Sequence, residues 1–183
     1  MSIWLSRKVK KKEEILFTIR IIGKIKKIWE KKELKYLPKL LIIGEGEEKN
    51  NLREKIRKYK VENDVYLLGY KNNVFKYLNK SLFFLLSSDW EDPGFVLVEA
   101  AYLNKPILSS DCKNGPSEIL KYGENGILFE SNNKKSFLKK FDLFYNLDLK
   151  VKKKNIKNTK KYIKQFTSFS HYRKLIYLLK KYD

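Results

Sequence analysis

The 183-residue chain has one cysteine, Cys112, and one histidine, His171. A single thiol cannot close an intramolecular disulfide, and one cysteine with one histidine cannot supply a zinc site, so disulfide scaffolds and zinc modules are excluded and a reducing compartment fits. Long hydrophobic runs are also missing. Nothing approaches the roughly 18–20 apolar residues of a membrane-spanning helix, and the first residues carry no apolar signal core. Eight glycines and four prolines are too few for a collagen-like or low-complexity chain. Acidic residues are outnumbered, 21 Asp and Glu against 41 Lys and Arg, giving a formal net charge of +20. Arginine is scarce among those cations: Arg7, Arg20, Arg53, Arg57 and Arg173 are the whole set. Readers of phosphate and guanine edges rely on arginine forks. Lysines spread over every segment therefore read as compositional bias rather than as a nucleic-acid footprint.

What remains is a chain with 43% hydrophobic and 34% charged residues, the balance of a globular protein with one good-sized domain. Short apolar runs recur at Ile3–Ser6, Leu40–Ile43, Val65–Leu68, Leu82–Leu86, Pro106–Ser109 and Gly126–Phe129. Continuous apolar character over four or five residues predicts strands buried on both faces, the pattern of a parallel sheet covered by helices. Between the runs, Ile15, Ile19, Ile22, Ile25 and Trp29 step by threes and fours, as do Leu52, Ile56 and Tyr59. These are amphipathic helices with lysine outside. Asn73–Asn79 and Val96–Asn104 supply two more helices. Phe137, Leu138, Phe141 and Phe144 make another stripe, and Phe169, Tyr172, Ile176 and Leu179 a terminal one. The expected fold is α/β, a Rossmann-like doubly wound parallel sheet of about six strands with helices on both faces. In such sheets ligands bind outside the carboxyl ends of the strands. Residues 1–149 are expected to form this domain and 150–183 a basic helical extension packed on it, with Leu149–Lys164 a solvated helix or linker.

The strand ends carry the most chemistry in Ser87-Ser88-Asp89-Trp90-Glu91-Asp92-Pro93-Gly94-Phe95-Val96-Leu97-Val98-Glu99-Ala100-Ala101. The segment follows a strand, turns at Pro93-Gly94 and opens a helix near Phe95. A helix amino terminus offers unpaired N–H groups and the positive end of the helix dipole, a combination that favours phosphate. Glu99, about one turn further on, is a carboxylate able to accept two hydrogen bonds from a diol such as ribose. Glu91 would face another part of the same ligand. Two glutamates eight apart also have an ordinary reading, one as a helix cap and the other as a helical surface residue.

The surrounding residues sharpen the choice. Glu91 and Glu99, flanked by Ser87-Ser88 and Ala100-Ala101 and followed by Lys105-Pro106-Ile107, resemble the E-x7-E signature of retaining GT-B glycosyltransferases, family 4 in particular. Asp111 to Ile119 resembles that family's next strand-end loop, and Gly123-Glu124-Asn125-Gly126 its G-E-N-G turn. Ile43-Gly44-Glu45-Gly46 resembles its G-x-G loop, and Val65 to Tyr70 its V-x-F-x-G strand. The ordered set covers roughly residues 3–130. The resemblance implies the carboxy-terminal, nucleotide-sugar-binding domain of a GT-B enzyme. Glu91 would then contact hydroxyls of the donor sugar and Glu99 the ribose, with amides near Gly94, Phe95 and Val96 receiving the diphosphate. Gly44, Gly46, Gly69 and Tyr70 would line the nucleotide. The family's R-L-x-x-x-K after the first strand is matched by Arg7 and Lys12, with Lys11 also in reach, as the cations that stabilise the departing diphosphate.

There are departures too. The usual E-G-F-G is here Glu91-Asp92-Pro93-Gly94, Lys8 replaces an apolar residue, and Glu47 stands where proline often follows G-x-G. The resemblance implies no cofactor and no metal. Asp89-Trp90-Glu91-Asp92 has the makings of a D-x-D-like Mg2+ or Mn2+ site, but such a metal belongs to the other large glycosyltransferase fold. It implies a nucleotide sugar, most often of UDP, and a saccharide or lipid-linked acceptor held by an amino-terminal domain, here expected on a separate chain. Cytoplasmic residence follows, with peripheral contact at the anionic inner face of the cell membrane. Two other readings stand beside it: a folded but inactive glycosyltransferase remnant, and a basic module that uses Lys150–Lys164 with Tyr162, Phe166 and Phe169 to bind nucleic acid or a membrane surface. His171, in the terminal helix and far in sequence from Ser87 and Ser109, disfavours a Ser-His-Asp hydrolase.

Overall fold

The structure, a computed structural model, describes residues 2–5, 12–31 and 39–182. Strands and helices alternate as β1 (Ser2–Leu5), α1 (Lys12–Lys31), β2 (Leu40–Ile43), α2 (Lys49–Lys58), β3 (Val65–Gly69), α3 (Phe75–Asn79), β4 (Phe84–Leu86), α4 (Phe95–Tyr102), β5 (Ile107–Ser110), α5 (Pro116–Ile119), β6 (Ile127–Phe129) and α6 (Lys134–Asn146). The helices α7 (Leu149–Tyr162) and α8 (Ser168–Tyr182) follow. The six strands form one parallel sheet in the order β3-β2-β1-β4-β5-β6. The winding direction reverses between β1 and β4, so the crevice of this doubly wound sheet opens between the loops after those two strands.

Side-chain alternation explains why both faces need helices. Leu40 and Ile42 point into one core with Leu85, Leu108 and Phe129, closed by Phe17, Ile19 and Ile22 of α1, Leu52 and Ile56 of α2, and Phe137 and Phe141 of α6. Leu41 and Ile43 point the other way, with Phe84, Leu86 and Ile107, under Leu78 of α3, Leu97, Ala100 and Ala101 of α4, and Ile119 of α5. A period of two along each strand thus feeds two separate cores, and the runs read as continuously apolar for that reason.

Strand positions agree with the sequence pattern to within one or two residues. α5 is an element the pattern did not reveal, because four residues are too short to show a helical period. Leu149–Lys164 does form a helix, started by Asp148, whose side chain accepts from the backbone N–H of Lys150 at 2.7 Å and of Val151 at 3.3 Å. α7 lies against the domain through Thr159, which is buried and donates to the Asn125 carbonyl at 2.5 Å. Ile163, in the single turn after α7, enters the α4-side core. The α8 stripe is different. Phe169, Tyr172 and Leu179 are 69%, 60% and 55% exposed, so this helix projects its apolar residues instead of packing them on the sheet. No helix among the described residues is long and apolar enough to cross a membrane.

Candidate functional site

Parallel strands deliver all their following loops to one edge, and the candidate residues gather there. After β2 come Gly44 and Gly46, and after β3 come Gly69 and Tyr70. The two loops are tied together, since the Gly44 N–H donates to the Gly69 carbonyl at 2.9 Å. The Glu45 carboxylate lies 3.2 Å from where a side chain at Gly69 would begin. Tyr70 is 69% exposed.

Across the crevice, β4 runs into Ser87-Ser88 and then the loop bearing Glu91. Gly94 closes that loop in a left-handed conformation, φ 80°, and caps α4 without any side-chain acceptor. Its carbonyl takes the Leu97 N–H at 2.9 Å. The first turn of α4 contains no acidic residue and no side chain caps it, although the Glu91 carboxylate lies close by, its Oε2 3.8 Å from the place a Cβ on Gly94 would occupy. A glycine is required at 94 because a side chain there would carry the strain of positive φ. Glu99 follows in the same helix, half-buried, and Glu91 is half-buried in the loop. The Glu91 stem folds back on the turn, with its Cβ 3.4 Å from the place a Cβ on Gly94 would occupy.

The structure therefore brings Glu91, Gly94, Phe95, Val96 and Glu99 into one segment beside the switch point, and sets Gly44, Gly46, Gly69 and Tyr70 on the same edge two to three strands away. Arg7 lies outside the described residues. Lys12 is placed only as the first residue of α1, the helix that follows β1 at the crevice. Lys105, part of the motif stretch, is not at this edge. Its Nζ donates to the carbonyls of Asn79 at 2.6 Å and Ser81 at 3.1 Å, and burial lowers its pKa from the ordinary lysine value. Its part in the pattern is to tie α3 to the β5 entry. In front of the Glu91 loop, a cleft of about 630 Å³ is walled by Pro93, Phe95, Glu118, Phe166, His171 and Tyr172.

Several residues around the site gave no signal in the sequence. Ser110 Oγ donates to the Ser88 carbonyl at 2.6 Å, and Ser131 Oγ to the same oxygen at 2.9 Å. Thr18 Oγ1 of α1 donates to Ser87 Oγ at 2.7 Å in a buried contact that joins the β1 and β4 sides of the crevice. The Glu91 N–H donates to the Lys113 carbonyl at 3.2 Å, and Trp90 and Lys113 form an isolated parallel bridge. Hydroxyls at the ends of apolar strands are the one hint a sequence offers, and strand register is needed to pair them.

The sheet is a Rossmann-type doubly wound parallel sheet with a helix amino terminus that no side chain caps and two glutamates beside its switch point, the place where ligands bind in folds of this class. The chain belongs to the family of group 1 glycosyl transferases, whose model matches residues 8–162. An uncharacterized glycosyltransferase of Methanocaldococcus jannaschii is 51% identical over 82 residues, covering 45% of this chain and 20% of that protein. The amylovoran biosynthesis glycosyltransferase AmsD of Erwinia amylovora is 36% identical over 110 residues, 60% of this chain and 31% of its own length. Among solved structures, the carboxy-terminal domain of a group 1 glycosyl transferase, LpcC of Francisella tularensis, superposes with a TM-score of 0.71 at 18% identity, over 90% of this chain and 84% of that one. Anabaena HepE in complex with UDP-glucose gives 0.77 at 18% identity, over 98% of this chain and 48% of its own. The fold is thus half of a GT-B glycosyltransferase, and the chain spans about a fifth to a third of the length of these two curated relatives.

Proposed function

We propose that this chain is the donor-binding half of a retaining glycosyltransferase that takes a nucleotide-diphosphate sugar, with UDP as the base-bearing group, and passes the sugar to a saccharide or lipid-linked saccharide held by an amino-terminal domain. The observation that carries the reading is the α4 amino terminus: no side-chain cap at Gly94, no acid in the first turn, and Glu99 further along the same helix. Strand spacing of about 4.8 Å sets the β3 and β4 loops roughly 14 Å apart across β2 and β1. An extended nucleotide sugar spans such a gap, with its base near Gly69 and Tyr70, its ribose on Glu99 and its sugar at Glu91. The relative named for amylovoran biosynthesis and the neighbour solved with UDP-glucose support this assignment.

The chemistry asks little of the protein beyond charge placement. The bond between the anomeric carbon and the diphosphate oxygen breaks, the acceptor oxygen bonds to the same face of that carbon, and the acceptor proton leaves with the diphosphate. Negative charge grows on the diphosphate as the bond lengthens. Preorganised amides at Phe95 and Val96, with the cations Arg7 and Lys12 that follow β1 in the sequence, would stabilise it. No step requires a metal ion.

The test is a melting experiment with UDP, GDP and ADP, repeated on Glu99→Ala. A ligand at ten times its Kd adds about 1.4 kcal/mol, a rise of a few degrees for a domain this size. A selective rise with UDP that disappears in Glu99→Ala is expected. A cooperatively melting chain that responds to none of the three would instead be an inactive remnant.

The exposed lysines of α7 support peripheral contact with an anionic membrane face in a cytoplasmic setting. Lys150, Lys153, Lys154, Lys157 and Lys161 are all exposed, as is Lys164 in the turn that follows, and α7 contains no acidic residue. The absence of exposed aromatics between those lysines argues against single-stranded nucleic acid, which needs stacking platforms.

A further inference from the structure

We infer that Ser110, Ser131 and Gly115 are positioning residues for Glu91, acting from β5 and β6 to hold the β4 loop in the one shape that aims its carboxylate into the crevice. The inference rests on the reading of Glu91 as the group that faces the donor sugar.

The loop from Ser87 to Gly94 has no regular structure of its own, and its neighbours determine its path. At its start, the Ser88 carbonyl receives two hydroxyl protons, from Ser110 at 2.6 Å and from Ser131 at 2.9 Å. Ser110 is fully buried and Ser131 half-buried, so the first of these bonds is sheltered from competing water. Ser131 Oγ also lies 3.4 Å from Asp89 Oδ1. In the middle, Trp90 pairs with Lys113 and the Glu91 N–H donates to the Lys113 carbonyl. At the end, the Pro93 carbonyl lies against Gly115 so closely that a Cβ at 115 would overlap it. Gly115 itself sits at φ 127°, a conformation other residues rarely adopt.

The loop is therefore fixed at three points by the end of β5 and the loops after β5 and β6, and Glu91 stands at the second of them through its own N–H. The two serine hydroxyls are engaged with the Ser88 carbonyl, and Gly115 has no side chain to offer a ligand. Their effect must pass through the loop, and it should fall on the sugar more than on the nucleotide, because Glu99 belongs to the regular helix beyond the turn.

Two measurements on the full chain test this. Amide hydrogen exchange of residues 89–94 should quicken about five- to tenfold in Ser110→Ala and Ser131→Ala, the effect of losing a single hydrogen bond, with β2 and α6 unchanged. Calorimetric titration with UDP and with UDP-glucose should show UDP-glucose affinity falling several-fold in Ser110→Ala while UDP affinity holds. That loss should vanish when Glu91→Ala is already present, since a residue acting through Glu91 has nothing left to position. Gly115→Ala is expected to disturb both ligands, and where it fails to fold the serine variants carry the test. Unchanged exchange in the loop would overturn the inference. So would equal loss of UDP and UDP-glucose, or an effect of Ser110→Ala that persists without Glu91. A wild-type chain that binds neither ligand defeats the donor reading instead, and the exchange measurement still decides whether the serines hold the loop.

Discussion

Glu91 and Glu99, the two carboxylates of the proposed site, stand on different kinds of backbone. Glu99 rides a helix whose orientation is set by Leu97, Ala100 and Ala101, all buried in the core, so its carboxylate is delivered by packing. Glu91 rides a loop and is delivered by hydrogen bonds. Glu91→Gln keeps the shape and removes the charge. It should leave UDP affinity within about twofold and lower transfer turnover by about two orders of magnitude, the scale of losing one preorganised charged group, measured with the amino-terminal half supplied. Gly94 gives a second residue-scale expectation. Gly94→Ala places a Cβ on a backbone at φ 80° and should cost about 1–2 kcal/mol, with Gly94→Asn milder because asparagine tolerates that region. Thermal melting of the two variants checks the order. The glutamate spacing and the Pro-Gly turn were legible in the sequence because each is local. Ser110, Ser131 and Thr18 were not, because their partners are 22, 43 and 69 residues away and meet only through strand register.

The elements stand on aromatic packing more than on charge. α6 closes one face of the sheet by placing Phe137, completely buried, 4.9 Å from the Phe129 ring of β6 and 6.2 Å from the Phe17 ring of α1, centroid to centroid. Phe141 and Phe144 continue the row onto Phe83 at 6.3 and 4.9 Å. Spacings of three and four on one helix made this row predictable, and the structure shows what it grips: the last strand and the first helix of the sheet together. Phe137→Ala should cost about 3–5 kcal/mol, because edge-to-face partners on two other elements cannot collapse into the space. The drop in melting temperature should greatly exceed that of Phe169→Ala, where the ring is 69% exposed. The short elements escape such reading. α5 is held by Pro116 at its start and by burial of Ile119, and neither makes a period. The single turn Ile163–Phe166 enters the core through Ile163, with Phe166 packed against it.

At the scale of the whole molecule, two features of the carboxy-terminal third are unlike the rest. α7 buries Thr159 against the sheet domain and turns its lysines outward, whereas α8 shows Leu175, Leu178 and Leu179 at 47%, 50% and 55% exposure together with Phe169 and Tyr172. On a helical projection these apolar residues share one half of α8, and Arg173, Lys174, Lys180 and Lys181 share the other, with no acid between them. Such a helix contributes little to a fold it hardly touches. A chain ending at Thr167 should therefore melt within about 2 °C of the intact one, a shift of about 0.5–1 kcal/mol at most for a domain of this size, and it should self-associate less. Charge acts differently. A net charge of +20 attracts any anionic surface at low salt, so only binding that survives near 0.15 M salt speaks for the α7 lysines. Vesicles containing phosphatidylglycerol should retain the Thr167-terminated chain at that salt and release it when Lys150, Lys153, Lys154 and Lys157 are changed to glutamine. Vesicles that retain only the intact chain would place the contact on the apolar half of α8. Equal retention of single-stranded DNA would reduce both to charge attraction.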